Sequence, residues 1–458
     1  MMEIVDAASF HRHPRIRRIL SRREVEDPQV NRVVSNIIAQ VRRRGDASLR
    51  QWTRKLDGVV LRSIRIPAKE IERQAARASQ EVRRAISAAR RNIEQFHRQQ
   101  LETSWKLSNR SGADIGQRIR PITAAGIYVP GGTAAYPSTV LMNAVPARVA
   151  GVKRIVVATP PRNLTSNPAV AAALREMQLE EVYGVGGAQA VAALAYGTAT
   201  IEPVDKIVGP GNRFVSAAKR LVFGQVDIDM VAGPSEVVVV ADGSARADFV
   251  AADLLAQAEH DGHASAICIS NSRALALQVQ AEVEAQMRTL ERKQVCRASI
   301  DRFGAIVVTP NLAAAEEIVN FLAPEHLELH LRDAEIFSKR IKNAGAIFLG
   351  SYSPEATGDY FAGPNHVLPT NGSARFSSAL GVYDFLKRTS IIRYSQERLK
   401  KDAPSILALA RAEGLTAHAR SVELRIRKGA GNAKNRSRRS GNARRARLLV
   451  ARLKRSKP

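Results

Sequence analysis

Glu236-Val-Val-Val-Val-Ala241, then the Ala-rich segment Asp248 to Glu259, then Ala264-Ser-Ala-Ile-Cys-Ile269: a β-branched run, an amphipathic stretch and a second apolar run follow one another, and their reading decides the fold. Working outward, short Val/Ile-rich runs alternate with Ala-rich amphipathic stretches from Lys153 to Gly350. The further candidate strands are Arg154 to Thr159, Glu181 to Val185, Lys206 to Val208, Ala305 to Thr309 and Ala346 to Leu349, and Ala313 to Leu322 reads as another helix. Strands separated by helices imply crossover connections and parallel sheets, so the fold class is α/β. Upstream, residues 28 to 55 and 69 to 105 carry charged patterns of helical period.

Sheets of this kind bind ligands at the carboxyl ends of their strands, where glycine lets backbone approach a cofactor closely. Three Gly-rich turns are present: Val129-Pro-Gly-Gly-Thr133, Gly184-Val-Gly-Gly-Ala-Gln189 and Gly209-Pro-Gly-Asn212. None is a GxGxxG fingerprint. The second ends a candidate strand and opens a helix from Ala188 to Tyr196, where free backbone N–H groups favour an anion. A tight βα turn needing glycine dihedrals explains the same residues, and both readings stand.

At 458 residues the chain exceeds what one hydrophobic core normally organises, so two or more domains are expected. With 45% hydrophobic and 25% charged residues it has a globular composition, and no apolar run approaches the roughly 18 residues of a membrane span. The opening Met1-Met-Glu-Ile-Val-Asp lacks the apolar core of a secretory signal, which leads us to expect a cytoplasmic protein without membrane contact. Cys268, inside an apolar run, and Cys296, beside charged residues, offer neither a disulfide framework nor a CxxC metal pair. Of the formal net charge of +27, 14 positive residues and no acidic one fall between Arg425 and Pro458, leaving +13 before them. The tail from residue 429 to 458 reads as disordered, and two readings remain open: a solvated extension, or a non-specific contact for polyanions. It holds no aromatic residue to stack on bases, so nucleic acid is not expected as a partner beyond such contact.

Chemistry-bearing residues cluster at four places: Gln257-Ala-Glu-His260, Pro324-Glu325-His326, Gly358-Asp359-Tyr360 and Glu413-Gly-Leu-Thr-Ala-His418. They supply nitrogen and oxygen donors of the kind zinc accepts, and groups able to move protons. Gln257 and His260 lie at i and i+3 near a helix end and leave one face, so they can hold one ion. Asp359 falls in a Gly-bordered turn after the Ala346 strand, a place suited to a metal carboxylate and equally to ordinary turn chemistry. His418 is either a ligand or a surface histidine on a final helix. Glu325 and His326 fall in a loop between a helix and a strand, from which adjacent side chains can reach two different protons.

Together these segments resemble the histidinol dehydrogenase family. The likeness rests on Ile127-Tyr-Val-Pro-Gly-Gly-Thr-Ala-Ala-Tyr136, Val185-Gly-Gly-Ala-Gln-Ala190, Val208-Gly-Pro-Gly-Asn212, Met230-Val-Ala-Gly-Pro-Ser-Glu236, Gln257-Ala-Glu-His260, Pro324-Glu-His-Leu327, Gly358-Asp-Tyr360, Gly363-Pro-Asn-His-Val-Leu-Pro369 and Leu415-Thr-Ala-His418, in the family's order from about residue 25 to about residue 426.

The resemblance implies an NAD-dependent homodimer with one zinc per subunit that oxidises L-histidinol through the aldehyde to L-histidine, using two NAD molecules. It places zinc ligands at Gln257, His260, Asp359 and His418. Substrate contacts fall at Ser235, His326, His366 and Glu413, together with those four ligand positions, and NAD contacts at Tyr128, Gln189 and Asn212. Glu325 and His326 become the catalytic pair: His326 takes the alcohol proton, and Glu325 is the base for the water that must add to the aldehyde. By the same resemblance, the architecture is two incomplete Rossmann-like α/β domains, one inserted in the other, plus a helical C-terminal segment swapped between subunits. The implied boundaries are an N-terminal arm at 1–24, a first domain at 25–127 and 237–378, and a second, NAD-binding domain at 128–236. A dimerisation segment at 379–428 and the basic tail at 429–458 complete the chain. His418 and Glu413 lie on the exchanged segment, so each active site is expected to be completed by the partner chain. Two alternatives are carried: a dehydrogenase of another small alcohol on the same scaffold, and a polyanion-binding protein acting through the tail. A zinc hydrolase is disfavoured because no HExxH occurs.

Overall fold

The computed structural model describes residues 2–22, 27–108, 112–131 and 136–427. The basic tail, part of the N-terminal arm and part of the turn after Pro130 therefore lie outside the described residues. The chain divides into two compact units, one of residues 1–102 and 120–387, the other of residues 103–119 and 388–458.

The first unit is built on two parallel sheets, as the alternation of apolar runs predicts. Six strands run in the order Glu3–Asp6, Gly304–Val308, Ser265–Ser270, Glu236–Ala241, His326–His330, Ala346–Leu349, with every neighbouring pair parallel. Five strands form the other sheet in the order Val182–Gly184, Arg154–Thr159, Ala124–Tyr128, Lys206–Val208, Asp227–Ile228, again parallel throughout. All seven strands expected from sequence are present, four with the expected ends and three with each end shifted by one residue. Because side chains alternate across a strand, Val238 and Val240 enter one apolar cluster and Val237 and Val239 another, and the sheet is buried on both faces.

Each sheet reverses its direction of build-up once, and functional groups lie on the strands that flank those reversals. In the five-stranded sheet the reversal lies between Ala124–Tyr128 and Lys206–Val208. In the six-stranded sheet it lies between Glu236–Ala241 and His326–His330. The helix Ala247–Ala258 follows the first of these two strands and returns to the amino end of Ser265–Ser270, so its last turn delivers Gln257, and the turn just after it His260, to the amino edge of the sheet.

Two expectations need correction. Glu325-His326 is not a free loop: His326 opens the strand His326–His330, paired between Glu236–Ala241 and Ala346–Leu349. The segment His326-Leu-Glu-Leu-His330 alternates polar and apolar, and its polar side is turned inward because buried partners receive it. Asp359 is likewise not in a turn; it lies on the short helix Glu355–Tyr360 and is buried. Gly358 allows that helix to lie against the sheet, since a Cβ there would come within 2.8 Å of the Phe348 ring.

The second unit contains Trp105–Ser108 paired antiparallel with Ala113–Pro121, joined in a three-stranded sheet by Leu386–Tyr394, and the helices Gln396–Ala412 and Thr416–Ile426. The link between the helices needs Gly414 at φ +72°, and Arg411 pairs with Glu423 across them at 2.7 Å. No described helix is long and apolar enough to cross a membrane.

Candidate active site

His326 stands at the centre of a buried polar cluster in the first unit. Its Nδ1 lies 3.2 Å from the carbonyl oxygen of Glu236, 3.7 Å from Glu355 Oε1 and 3.8 Å from Glu325 Oε2, and its Nε2 lies 3.8 Å from Asp359 Oδ1. The last separation is that of an ion pair rather than a hydrogen bond, which leaves Nε2 buried without a hydrogen-bond partner. Burial alone lowers an imidazole's proton affinity, but Glu355, Glu325 and Asp359 surround this one and hold it well above the ordinary histidine value.

The carboxyls differ in their surroundings. Glu325 is buried, with 6% of its surface left exposed, and burial pushes it up to about 7, against the pull of His326 and of the Glu236 N–H that donates to it at 2.9 Å. Burial also raises Glu355 well above the usual carboxylate range. Burial would raise Asp359 too, yet His326, His366 and His260 around it bring it below its ordinary value. His260 and His366 are both lowered, chiefly by burial, so each favours the neutral imidazole that a metal requires.

The amide of Gln257 is oriented by its neighbours. With the amide oxygen and nitrogen assigned so that each meets a complementary partner, its nitrogen donates to Glu355 at 2.6 and 3.2 Å, and its oxygen accepts from the Glu236 N–H at 2.7 Å. His260, Glu355 and Asp359 bring their ligand atoms within 4.8 Å of one another, a set that fits a divalent cation. Glu355 is the member that sequence reading missed. Only its position four residues before Asp359, hence on one face of a helix, signals it.

Sequence reading thus brought Gln257, His260, Glu325, His326, Asp359 and His366 to a real cluster. Ser235 immediately precedes the strand that contributes Glu236, and its carbonyl accepts from Ser265 N at 3.0 Å. Glu413 and His418 belong to the second unit, where both are exposed, Glu413 after the first helix and His418 on the second. The cluster departs from the carboxyl-end expectation: Glu236 and His326 open their strands, Gln257 comes from the last turn of the helix Ala247–Ala258, and His260 and Glu325 come from the connections leading into strands. The amino edge is used because helix ends and strand starts meet there at the reversal of build-up.

The three Gly-rich turns obey the rule. Tyr128 ends its strand at the reversal in the five-stranded sheet, and its hydroxyl accepts from Gly187 N at 3.0 Å. Burial pushes that phenol up to about 12, so it stays neutral. Gly209, at φ +112°, lies so close that a Cβ would meet the Tyr128 carbonyl oxygen at 2.3 Å. Asn212 caps the helix Arg213–Val222, accepting from Phe214 N and Val215 N at 3.0 and 3.2 Å, while Gln189 Oε1 is buried without a partner. These residues form a glycine-lined edge with one unpaired acceptor, which fits a nucleotide.

A second buried group lies deeper. His330 Nε2 is 3.0 Å from Asp253 Oδ2 and 3.4 Å from Glu328 Oε2, and Glu328 Oε1 accepts from the Glu355 N–H at 2.7 Å. Despite burial, Asp253 and Glu328 raise His330 to about 9. Burial brings Glu328 up to about 7.

Comparison with known proteins agrees with this geometry. The histidinol dehydrogenase family model matches residues 20–426. The histidinol dehydrogenase of Geobacillus kaustophilus (strain HTA426) is 53% identical over 411 residues, 89% of this chain and 97% of the relative. That of Rhodopseudomonas palustris (strain ATCC BAA-98 / CGA009) is 54% identical over 392 residues, 85% of this chain and 91% of the relative. The crystal structure of histidinol dehydrogenase from Elizabethkingia anophelis superposes with a TM-score of 0.86 at 36% identity, covering 93% of this chain and 98% of that one. With that match spanning both sheets and the cluster around His326, the chain is an oxidoreductase and belongs to the histidinol dehydrogenase family.

Proposed function

We propose that the protein carries out the zinc- and NAD-dependent, four-electron oxidation of L-histidinol to L-histidine by way of L-histidinal in the cytoplasm, as the last steps of histidine biosynthesis. The observation that carries this reading is the buried meeting of His326 and Glu325 beside His260, Glu355 and Asp359. Gln257, His260, Asp359 and His418 hold the metal in this proposal, with Glu355 close enough to share or orient it. Ser235, His366 and Glu413 join them around the substrate, and Tyr128, Gln189 and Asn212 face NAD. The chemistry supplied by the bound groups is orientation of the substrate's ring and amino nitrogens by zinc and acceptance of one hydride per oxidation by NAD.

The chain's own residues handle the protons. With Nδ1–H donated to the Glu236 carbonyl, His326 takes the alcohol proton of the first oxidation on Nε2 once it has lost its own proton from that atom, and the surrounding carboxyls that raise its proton affinity make it a strong base there. The second oxidation requires water on the aldehyde carbon before another hydride can leave. Glu325, with its carboxyl near neutrality, accepts a proton from that water and returns it to solvent.

Two Rossmann-like domains, one inserted in the other, fit the strand membership, since residues 124–228 build one sheet and residues 3–6 and 236–349 the other. The homodimer with an exchanged C-terminal segment fits the second unit, whose two helices bury only Ala403 and Ala419 and leave Leu409, Leu415 and Leu424 exposed. The test is zinc content: His260→Ala, Asp359→Ala and His418→Ala should each lose stoichiometric zinc together with NADH production from L-histidinol. Mixing inactive His418→Ala with inactive His326→Ala chains should restore part of the activity. Full zinc in all three single variants would overturn the ligand assignment, and no recovery on mixing would overturn the shared site.

A further inference from the structure

We infer that Glu328 is a positioning residue for the metal site, a buried clamp that fixes the helix carrying Glu355 and Asp359 from behind. The inference rests on the proposed zinc site and extends it to three residues with no assigned role: Glu328, His330 and Asp253.

Residues 326, 328 and 330 share one face of their strand, because side chains alternate with period two. Leu327 and Leu329 go to an apolar cluster on the opposite face. The polar side is therefore a ladder that begins at the reacting histidine and runs away from it. The helix Glu355–Tyr360 lies along this ladder: Asp359 stands beside His326, and the N–H of Glu355 is held by Glu328 Oε1 at 2.7 Å. The other carboxylate oxygen of Glu328 faces His330 Nε2 at 3.4 Å, and His330 is tied to Asp253 at 3.0 Å. Asp253 sits on the helix Ala247–Ala258, which also carries Gln257, whose amide grips the Glu355 carboxylate.

Glu355 is thus gripped twice from one scaffold, at its side chain by Gln257 and at its backbone through Glu328, His330 and Asp253. All three clamp residues are buried, with Glu328 at 0% exposure and His330 at 2%. A metal ligand displaced by a fraction of an ångström loses affinity, and outer partners of this kind are worth about 10–100-fold in metal binding. The clamp acts on binding through placement of Asp359 and Glu355, without touching substrate or cofactor. The ligand atoms of Asp253, Glu328 and His330 also lie within 4.8 Å of one another. His330 Nε2 and the carboxylates of Asp253 and Glu328 are already engaged with one another and with the Glu355 N–H, and His330 Nδ1 alone is left unpaired, which favours a clamp over a second cation site.

The test is zinc affinity of the full chain, measured by competition with a chromophoric chelator after dialysis, together with NADH production. Glu328→Ala removes the acceptor from the Glu355 N–H and should weaken zinc about 10–100-fold while the circular dichroism spectrum is kept. Glu328→Gln retains an oxygen for that N–H and should recover most of the affinity, whereas Glu328→Met, which fills the same space without an acceptor, should stay as weak as Glu328→Ala; recovery in Glu328→Met would reduce the role to packing and overturn the clamp. His330→Gln should fall between them. Unchanged zinc affinity in Glu328→Ala would overturn the clamp, as would a second zinc per wild-type chain that His330→Gln abolishes. If wild-type protein bound no stoichiometric zinc, the underlying metal reading would fail instead, an outcome separable from the other two.

Discussion

Replacing Lys219 tests how the glycine-lined edge of the five-stranded sheet is held. Lys219 Nζ pairs with Asp229 Oδ1 in the interior, their side chains 3% and 1% exposed. The pair also grips one peptide residue at both ends: Lys219 Nζ donates to the Gly209 carbonyl at 2.9 Å, and Asp229 Oδ2 accepts from the Gly209 N–H at 2.7 Å. Lys219→Met leaves a buried carboxylate without its cation, which costs about 3–5 kcal/mol. A buried ion pair can often be exchanged for apolar residues at no cost, so Lys219→Met/Asp229→Leu would ordinarily recover that loss. Here it should not. Both backbone groups of Gly209 would lose their partners, at about 1–3 kcal/mol each, so the double variant should stay about 2–6 kcal/mol below the parent. Because the turn also carries Asn212, both variants should raise KM for NAD more than KM for L-histidinol. Urea unfolding followed by circular dichroism measures the first effect and initial rates the second. A double variant as stable as the parent would refute the double grip on Gly209.

Gly209→Ala should raise KM for NAD and lower stability, because φ +112° and a Cβ 2.3 Å from the Tyr128 oxygen both oppose a side chain; parent-like values would contradict this. Glu325 links stability to pH: burial raises its folded pKa from 4.5 to about 7, so its contribution is complete below 4.5 and is lost as pH rises through about 7, on the order of 3 kcal/mol. Comparing metal-free Glu325→Gln with the parent in urea at about pH 5 and about pH 8 should show a smaller loss in the variant, and equal losses would remove Glu325 as a source. Deleting residues 429–458 should leave turnover of L-histidinol unchanged, since the tail lies beyond the matched residues 20–426; a large drop would show that the tail takes part.

The sheets were legible because a strand such as Glu236–Ala241, buried on both faces, has to be apolar along its whole length, and the helices between such strands keep their period. His326–His330 was not legible as a strand. Its inward polar face has no apolar signature, and the far end of that face is received by Asp253, 77 positions before His330, which no local pattern reveals. Gln257 and His260 could be paired from helical spacing, and they do lie together. Glu355 escaped because its role depends on where a six-residue helix rests, which Gly358 and Phe348 decide through close packing. The carboxyl-end rule located the turns at Tyr128 and Gly209 but not the catalytic cluster, which lies where helices enter strands.

The most direct measurement counts NADH. A limiting amount of L-histidinol is mixed with excess NAD and zinc-loaded protein, and NADH is followed to completion with and without a chelator. Two NADH per L-histidinol, abolished by the chelator and restored by zinc, is the expected result. One NADH per L-histidinol with aldehyde accumulating, or full turnover in metal-free protein, would contradict the four-electron, zinc-held reaction at His326 and Glu325.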